Sequence, residues 1–152
     1  IKCVADLDNY SNNNLIEGIV NAASHPVFSE TGLFEFTKQK SVINSLKQLY
    51  KNNNKFYAVT LGPEGVYWID KGIIYHTCSP KIEAAETNSA GDVFHGAFAT
   101  FLHNKKSIKD SIELATATAS LKCTNSGGIH SIPEYADLLI FSRQVKTTVE
   151  AE

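Results

Sequence analysis

The stretch Glu86-Thr87-Asn88-Ser89-Ala90-Gly91-Asp92-Val93-Phe94-His95-Gly96-Ala97-Phe98 decides how the rest of the chain is read. Three small residues, Ser89, Ala90 and Gly91, stand before Asp92. Val93, Phe94, Ala97, Phe98, Phe101 and Leu102 then recur at the spacing of one helix face. Small residues at a helix start let free backbone N–H groups come close to an anion, and the helix dipole favours negative charge there. Asp92 falls in the first turn, its carboxylate beside that anion site. A phosphate cradle with a carboxylate at its mouth is what phosphoryl transfer to an alcohol requires. A first-turn acid can equally do no more than complement the dipole, and on the helix-start pattern alone the two readings stand level.

The whole string resembles the second signature of the ribokinase-like (PfkB) carbohydrate kinases, of the type D-T-x-G-A-G-D-x-F-x-G-A-F. The resemblance implies that Asp92 is the catalytic base and that Ser89, Ala90 and Gly91 form the anion hole. Two positions depart from the pattern: Glu86 stands for the leading Asp, and Ser89 for the first Gly.

Bulk composition narrows the class without naming a chemistry. With 43% hydrophobic and 20% charged residues, 152 residues suffice for one real core. A net charge of −2 gives no electrostatic case for nucleic acid or a membrane surface. No apolar run approaches a membrane span, and no signal peptide opens the chain. Cys3, Cys78 and Cys123 are odd in number, far apart and outside any C-x-x-C, as befits reduced thiols in a cytoplasm. The chain holds no Met and opens at Ile1 inside an apparent strand, so it is expected to be part of a longer protein.

Taken in order, Ile1 to Asp6 reads as a strand and Leu15, Ile16, Ile19 and Val20 as a short amphipathic helix. His25 to Ser29 is a second strand. A helix from about Thr37 buries Val42, Ile43, Leu46, Leu49 and Tyr50, and Lys55 to Leu61 is a third strand apolar enough for burial on both faces. This alternation predicts parallel α/β layering. Val66–Asp70 and Ile73–Thr77, joined at Lys71-Gly72, then read as a β-hairpin. Ser107 with Asp110 caps a helix through Ile108, Ile112, Ala115 and Ala119, and Pro133 precedes a last helix over Glu134–Arg143.

Further candidates lie outside the central string. Thr60-Leu61-Gly62-Pro63-Glu64-Gly65 ends the third strand, where ligands gather in open α/β sheets, although Gly62 and Gly65 also fit a tight turn. It is neither a Walker A loop nor a Rossmann G-x-G-x-x-G. It resembles the T-x-G-x-x-G stretch lining the nucleotide pocket of ribokinase-like enzymes. Leu114 to Gly128 resembles the family's small-residue stretch F-A-N-A-A-A-A-x-x-x-T-R-x-G-A, followed by Ile132-Pro133. That likeness implies nucleotide contacts at Thr116, in place of Asn, and at Gly127. In many family members a monovalent cation such as K+ sits behind the anion hole. By position its ligands are Glu86, Asn88, Lys122, Asn125, Gly127 and Ser131. Lys122 brings a positive charge into that neighbourhood, so the expected response to K+ is small. The family's N-x-x-E motif for Mg2+ falls at Ser29-Glu30-Thr31-Gly32, leaving Glu30 as a water-mediated partner or a solvated loop acid. No zinc pattern or Ser/His/Asp order emerges, and His95 is read as structural.

The expected fold is α/β, the C-terminal portion of a three-layer α/β/α, Rossmann-like ribokinase-type sheet. Residues 1–143 form one domain portion and 144–152 a frayed tail. The resemblance implies ATP-dependent phosphorylation of a sugar primary hydroxyl, with Mg2+, in a cytoplasmic enzyme whose lid often mediates homodimers. Asp6-Leu7-Asp8-Asn9-Tyr10 is similar to the D-x-N-x-R strand ends of ketose and ketogluconate kinases, without the Arg. An adenosine-type or vitamin kinase of the same fold, and a non-catalytic nucleotide-binding module, remain as alternatives.

Overall fold

The computed structural model of the chain describes residues 2–8 and 13–150. Six strands form one mixed sheet in sequence order: β1 (Val4–Leu7), β2 (His25–Ser29), β3 (Tyr57–Thr60), β4 (Val66–Asp70), β5 (Ile73–Cys78) and β6 (Lys146–Val149). β1, β2 and β3 run parallel, with Val4 opposite His25 and Val27 opposite Ala58, whereas β4 lies antiparallel to β3. β2 and β3 are buried along nearly their whole length, as parallel strands covered on both faces must be. Between and after the strands lie α1 (Asn13–Ala22), α2 (Glu30–Thr37), α3 (Val42–Asn53), α4 (Ala90–His103), α5 (Ile108–Cys123) and α6 (Tyr135–Phe141). Among the described residues no helix is long and apolar enough to cross a membrane. Asn9 and Tyr10, part of the expected strand-end loop, lie outside the described residues.

The chain divides into two compact units. The first comprises Ile1–Leu61, Val66–His76 and Thr148–Glu152. Its core joins Leu7, Phe28, Leu33, Leu46, Tyr57 and Val59, each contributing about 1.5–3 kcal/mol on burial. One helix was expected from about Thr37; two are present. Ser29 caps α2 by accepting from the Gly32 N–H at 3.1 Å, and Lys38 ends it in a left-handed conformation (φ 58°). Ser41 then restarts the helix by accepting from the Asn44 N–H at 3.3 Å. Glu30 is therefore the first residue of a helix, exposed, and not a loop acid. At the hairpin, Lys71 and Gly72 both carry positive φ, 52° and 81°, as a two-residue type I′ turn demands. Tyr67 stacks on His76 across it, ring centroids 4.1 Å apart, and Trp68 stacks on Tyr75 at 4.2 Å.

Lys55 closes the open end of α1. Its Nζ donates to the carbonyl oxygens of Val20, Asn21 (3.2 Å) and Ala23 (2.8 Å). The last carbonyls of a helix have no intrahelical donor, so a cation there satisfies them and complements the dipole.

The second unit comprises Gly62–Gly65 and Thr77–Thr147. α4 packs along α5, and Phe101, Leu114, Ala117, Leu138 and Val145 form one buried cluster in this unit. The Ser107 cap of α5 is as expected, its Oγ accepting from the Asp110 N–H at 3.0 Å. The frayed tail is not found for residues 144–150. Lys146–Val149 form β6, the Thr77 and Thr147 hydroxyls lie 2.8 Å apart, and the Glu150 N–H donates to the Ile74 carbonyl at 2.9 Å. β6 pairs with the outer side of β5, and Thr147, Thr148 and Val149 are residues that suit a strand.

His25, at the start of β2, is 8% exposed, with Nδ1 2.8 Å from Ser24 Oγ and its ring against Phe56. Burial, and then the charge of Lys2, hold its pKa below the ordinary 6.5, with Asp70 opposing them. The unfolded chain thus takes up this proton first on acidification. The stabilising contribution is complete above about pH 6.5 and declines as pH falls from there toward the folded value. Urea unfolding midpoints should drop between about pH 7 and 5, and His25→Gln should flatten that part of the profile.

Candidate active site

The second unit brings together most of the residues singled out in the sequence. α4 begins after Ser89, whose φ of 58° and ψ of 16° place it in the left-handed region. A residue with a Cβ pays roughly 1–2 kcal/mol there, which is the physical sense of the Gly in the signature. The left-handed turn swings the preceding chain away from the helix axis. Val93 is the first residue bonded back into the helix, its N–H donating to Ser89 O at 3.0 Å. Ala90 N–H, one of the expected anion-hole groups, donates to the Thr87 carbonyl at 3.2 Å. The N–H groups of Gly91 and Asp92 have no partner among the described residues. Asp92 is exposed in that same first turn. His95, one turn on, sets Nδ1 2.7 Å from the Gly91 carbonyl, a structural contact.

Two charged side chains brace the loop that leads into α4. The Glu86 carboxylate accepts from the N–H groups of Gly127 (2.8 Å) and Gly128 (3.4 Å). These two bonds, above all, hold its pKa below the ordinary carboxylate value; the charge of Lys122 and a hydrogen bond from the Asn88 side chain add to the effect, against partial desolvation. Gly127 and Gly128 take φ of 128° and 57°, which lets successive N–H groups face one carboxylate. Behind Glu86, the N–H groups of Ala85 and Glu86 both donate to the Cys123 carbonyl, at 2.8 and 3.2 Å.

Lys122 completes the brace. It is 0% exposed, and its Nζ donates to the backbone carbonyls of Asn88 (2.5 Å) and Glu86 (3.4 Å). These are two of the oxygens the family resemblance assigns to a monovalent cation. The other expected ligands are engaged locally. Asn125 N–H donates to Lys122 O at 3.2 Å, Gly127 O accepts from His130 N–H at 3.1 Å, and Ser131 Oγ donates to Gly128 O at 2.7 Å. With an ammonium on the Asn88 and Glu86 carbonyls, the residues present do not fit a monovalent metal ion there.

The model of the pfkB family of carbohydrate kinases matches residues 5–135. The chain belongs to that family. A ribokinase of Haemophilus influenzae is 31% identical over 110 residues, covering 70% of this chain and 35% of its own length. A candidate ribokinase of Agrobacterium tumefaciens, solved by crystallography, superposes with a TM-score of 0.85 at 31% identity, covering 93% of this chain and 47% of that one. A fructokinase double mutant of Vibrio cholerae, solved with fructose, ADP and a potassium ion, shares the fold at a TM-score of 0.75 and 22% identity, covering 90% and 49%. The chain thus spans about a third of the curated ribokinase it matches and just under half of the solved chains. The mixed sheet of six strands with its helices is the ribokinase-like α/β fold.

Within this pfkB chain the remaining candidates fare differently. Thr60 ends β3, half-buried, with Oγ1 3.4 Å from the Phe28 carbonyl. Gly62 and Gly65 bound a short 3-10 turn, Gly65 N–H donating to Gly62 O at 3.1 Å. Gly65 has a steric reason of its own. A Cβ there would lie 2.1 Å from the Thr77 carbonyl and 2.8 Å from Ser79 N, at a φ of 98°. Thr116 sits mid-α5, 3% exposed, with Oγ1 buried and unpartnered, which leaves it almost no surface to offer a nucleotide. Gly32, where the family motif has Glu, abuts the end of β1. A Cβ would come within 2.4 Å of Leu7 O and 2.5 Å of Asp8 O, so no side chain fits. Among the described residues no group of three or more His, Cys, Asp or Glu side chains could hold a metal. The brace role of Lys122 was not anticipated, although the family resemblance placed its charge beside Glu86 and Asn88.

Two outcomes follow from this geometry. Gly65→Ala should cost at least about 2 kcal/mol, combining left-handed strain with overpacking against backbone, as read from urea unfolding; a loss under about 0.5 kcal/mol would mean that the turn simply opens. Glu86→Gln keeps an acceptor but removes the charge. Amide exchange at Gly127 and Gly128 should quicken in that variant. In the wild type the same amides should lose protection as pH falls below the ordinary Glu value near 4.5, because the depressed carboxylate holds them only while ionised.

Proposed function

We propose that the full-length protein phosphorylates a primary hydroxyl of a sugar at the expense of ATP, and that this chain is its nucleotide-binding and catalytic half. The observation that carries the reading is the first turn of α4, where an exposed Asp92 carboxylate stands beside the two open N–H groups of Gly91 and Asp92. Family membership and the ribokinases among its relatives support the same reading. Three free cysteines fit the cytoplasmic setting that belongs to it.

In this reaction Asp92 accepts the proton of the sugar hydroxyl as that oxygen bonds to the γ-phosphorus. The bond from the γ-phosphorus to the β–γ bridging oxygen breaks, and ADP leaves with the electron pair. The N–H groups of Gly91 and Asp92, stiffened by the brace behind them, face the charge that grows on the transferring phosphoryl group. Such pre-set donors are worth about a hundred- to a thousand-fold each in rate. Mg2+ arrives with ATP as part of the substrate and offsets the charge of its phosphates. Exposed Glu30, at the start of α2, is the acid this reading keeps as a water-mediated partner of that ion. Thr60, Gly62 and Gly127 remain the proposed nucleotide contacts, through backbone more than side chain.

Asp92→Asn in the full-length protein is the test. Asn keeps the size and the turn but cannot take a proton, and it removes a negative charge near the phosphates. Phosphorylation across a panel of sugars should fall by roughly a hundred- to ten-thousand-fold, while ATP binding stays level or tightens slightly. If Asp92 serves only the helix dipole, the variant should instead lose about 1 kcal/mol of stability or less and keep its rate.

A further inference from the structure

We infer that the ε-ammonium of Lys122 serves as a built-in cation that fixes the Glu86–Asp92 loop in place of a monovalent metal ion. Carbonyl oxygens that converge without N–H partners need a positive charge or a donor between them. Here the Asn88 and Glu86 carbonyls converge on Nζ, at 2.5 and 3.4 Å. They flank Thr87, immediately before the left-handed Ser89 and the open N–H pair. An ammonium carries the charge of a potassium ion, and its three N–H donors are aimed by a covalent stem. A metal ion on the same oxygens would sit within a few ångströms of that charge and be repelled by it.

A plainer role would be to cap α5, since Lys122 lies in that helix's last turn. The geometry speaks against it. The nearby α5 carbonyls are already met by backbone, Thr124 N–H donating to Leu121 O and Asn125 N–H to Lys122 O, both at 3.2 Å. Nζ reaches instead to residues more than thirty positions back in the chain. Glu86, whose carboxylate is held on the Gly127 and Gly128 amides, supplies the opposite charge in the same neighbourhood. Lys122 is thus a positioning residue. It acts on the anion site through the Asn88 and Glu86 carbonyls and touches no reacting atom.

The effect on rate rests on the kinase reading above; the effect on cation binding does not. The full-length protein should be unfolded by heat in potassium, rubidium, lithium and tetramethylammonium chlorides at equal ionic strength. Wild type should show the same midpoint in potassium as in tetramethylammonium. Lys122→Met keeps the apolar stem but vacates the Nζ position. Its midpoint should fall, then recover saturably with K+ and Rb+ but not with Li+; Lys122→Ala, with a larger opening, should show the same selectivity. Phosphorylation by wild type should change less than about twofold with K+, whereas the variants should gain at least about tenfold, less than the roughly hundredfold of a donor lost outright because the donors are displaced and not removed. A saturable, K+-specific rise in the wild-type midpoint would overturn the proposal, as would folded variants that ignore K+. Should both variants fail to fold, the wild-type titration decides alone. Absence of any sugar phosphorylation would count against the kinase reading and leave the midpoints to judge Lys122.

Discussion

A buried ammonium has to find oxygen acceptors, and in this chain the acceptors it finds are the carbonyls of residues 86 and 88. That requirement organises the second unit. Lys122 lies on a helix packed along α4, so its reach to Asn88 and Glu86 fixes where the loop before α4 runs. The same loop is held on its other side by the Glu86 carboxylate, which gathers the Gly127 and Gly128 amides. Charge-assisted bonds of this kind are roughly twice as strong as neutral ones, and here they act on backbone. Removing the lysine would leave the Asn88 and Glu86 carbonyls without the donor that meets them.

Lys55 answers the same problem in the first unit. There the acceptors are the orphan carbonyls at the end of α1, and the ammonium also lies 5.6 Å over the Tyr57 ring. Burial lowers the Lys55 pKa, a sign of the cost of placing such a charge away from water. The two lysines differ in what they hold. Lys55 ties a helix end to the strand beside it, whereas Lys122 ties a loop whose shape sets which N–H groups stay open. The first fixes a helix end; the second fixes a loop.

Legibility followed the range of the physics. The Lys71-Gly72 hairpin and the Ser107 cap could be read because both are local: a positive-φ pair and a hydroxyl three residues before its N–H. The apolar runs of β2 and β3 announced their own burial. The break between α2 and α3 was missed because Lys38, not Gly, carries the left-handed turn, and because Ser29 reads as a strand residue until its Oγ is seen on Gly32 N. β6 was missed because Lys-Thr-Thr-Val pairs only once β5 supplies an edge some seventy residues away in sequence. The place of Asp92 in the first turn of α4 was legible from the helix start. For Lys122 the family resemblance placed its charge near Glu86 and Asn88, but nothing in residues 120–124 shows that its ammonium donates to their carbonyls.

The strain at Ser89 connects these contacts. A left-handed non-glycine residue persists only where its surroundings over-determine it. Here Asn88, on one side, is held by Lys122 through its carbonyl, and on the other side Val93 N–H bonds to Ser89 O itself. The turn thus forced at Ser89 spends Ala90 N–H on Thr87 and leaves no carbonyl four residues back for Gly91 or Asp92. Had residues 87 and 88 continued the helix, those two donors would have been consumed by ordinary helical bonds. The N–H groups of Gly91 and Asp92 stay open because the helix begins here, as the first donors of any helix do, and the left-handed turn at Ser89 that sets this start follows a carbonyl held by Lys122.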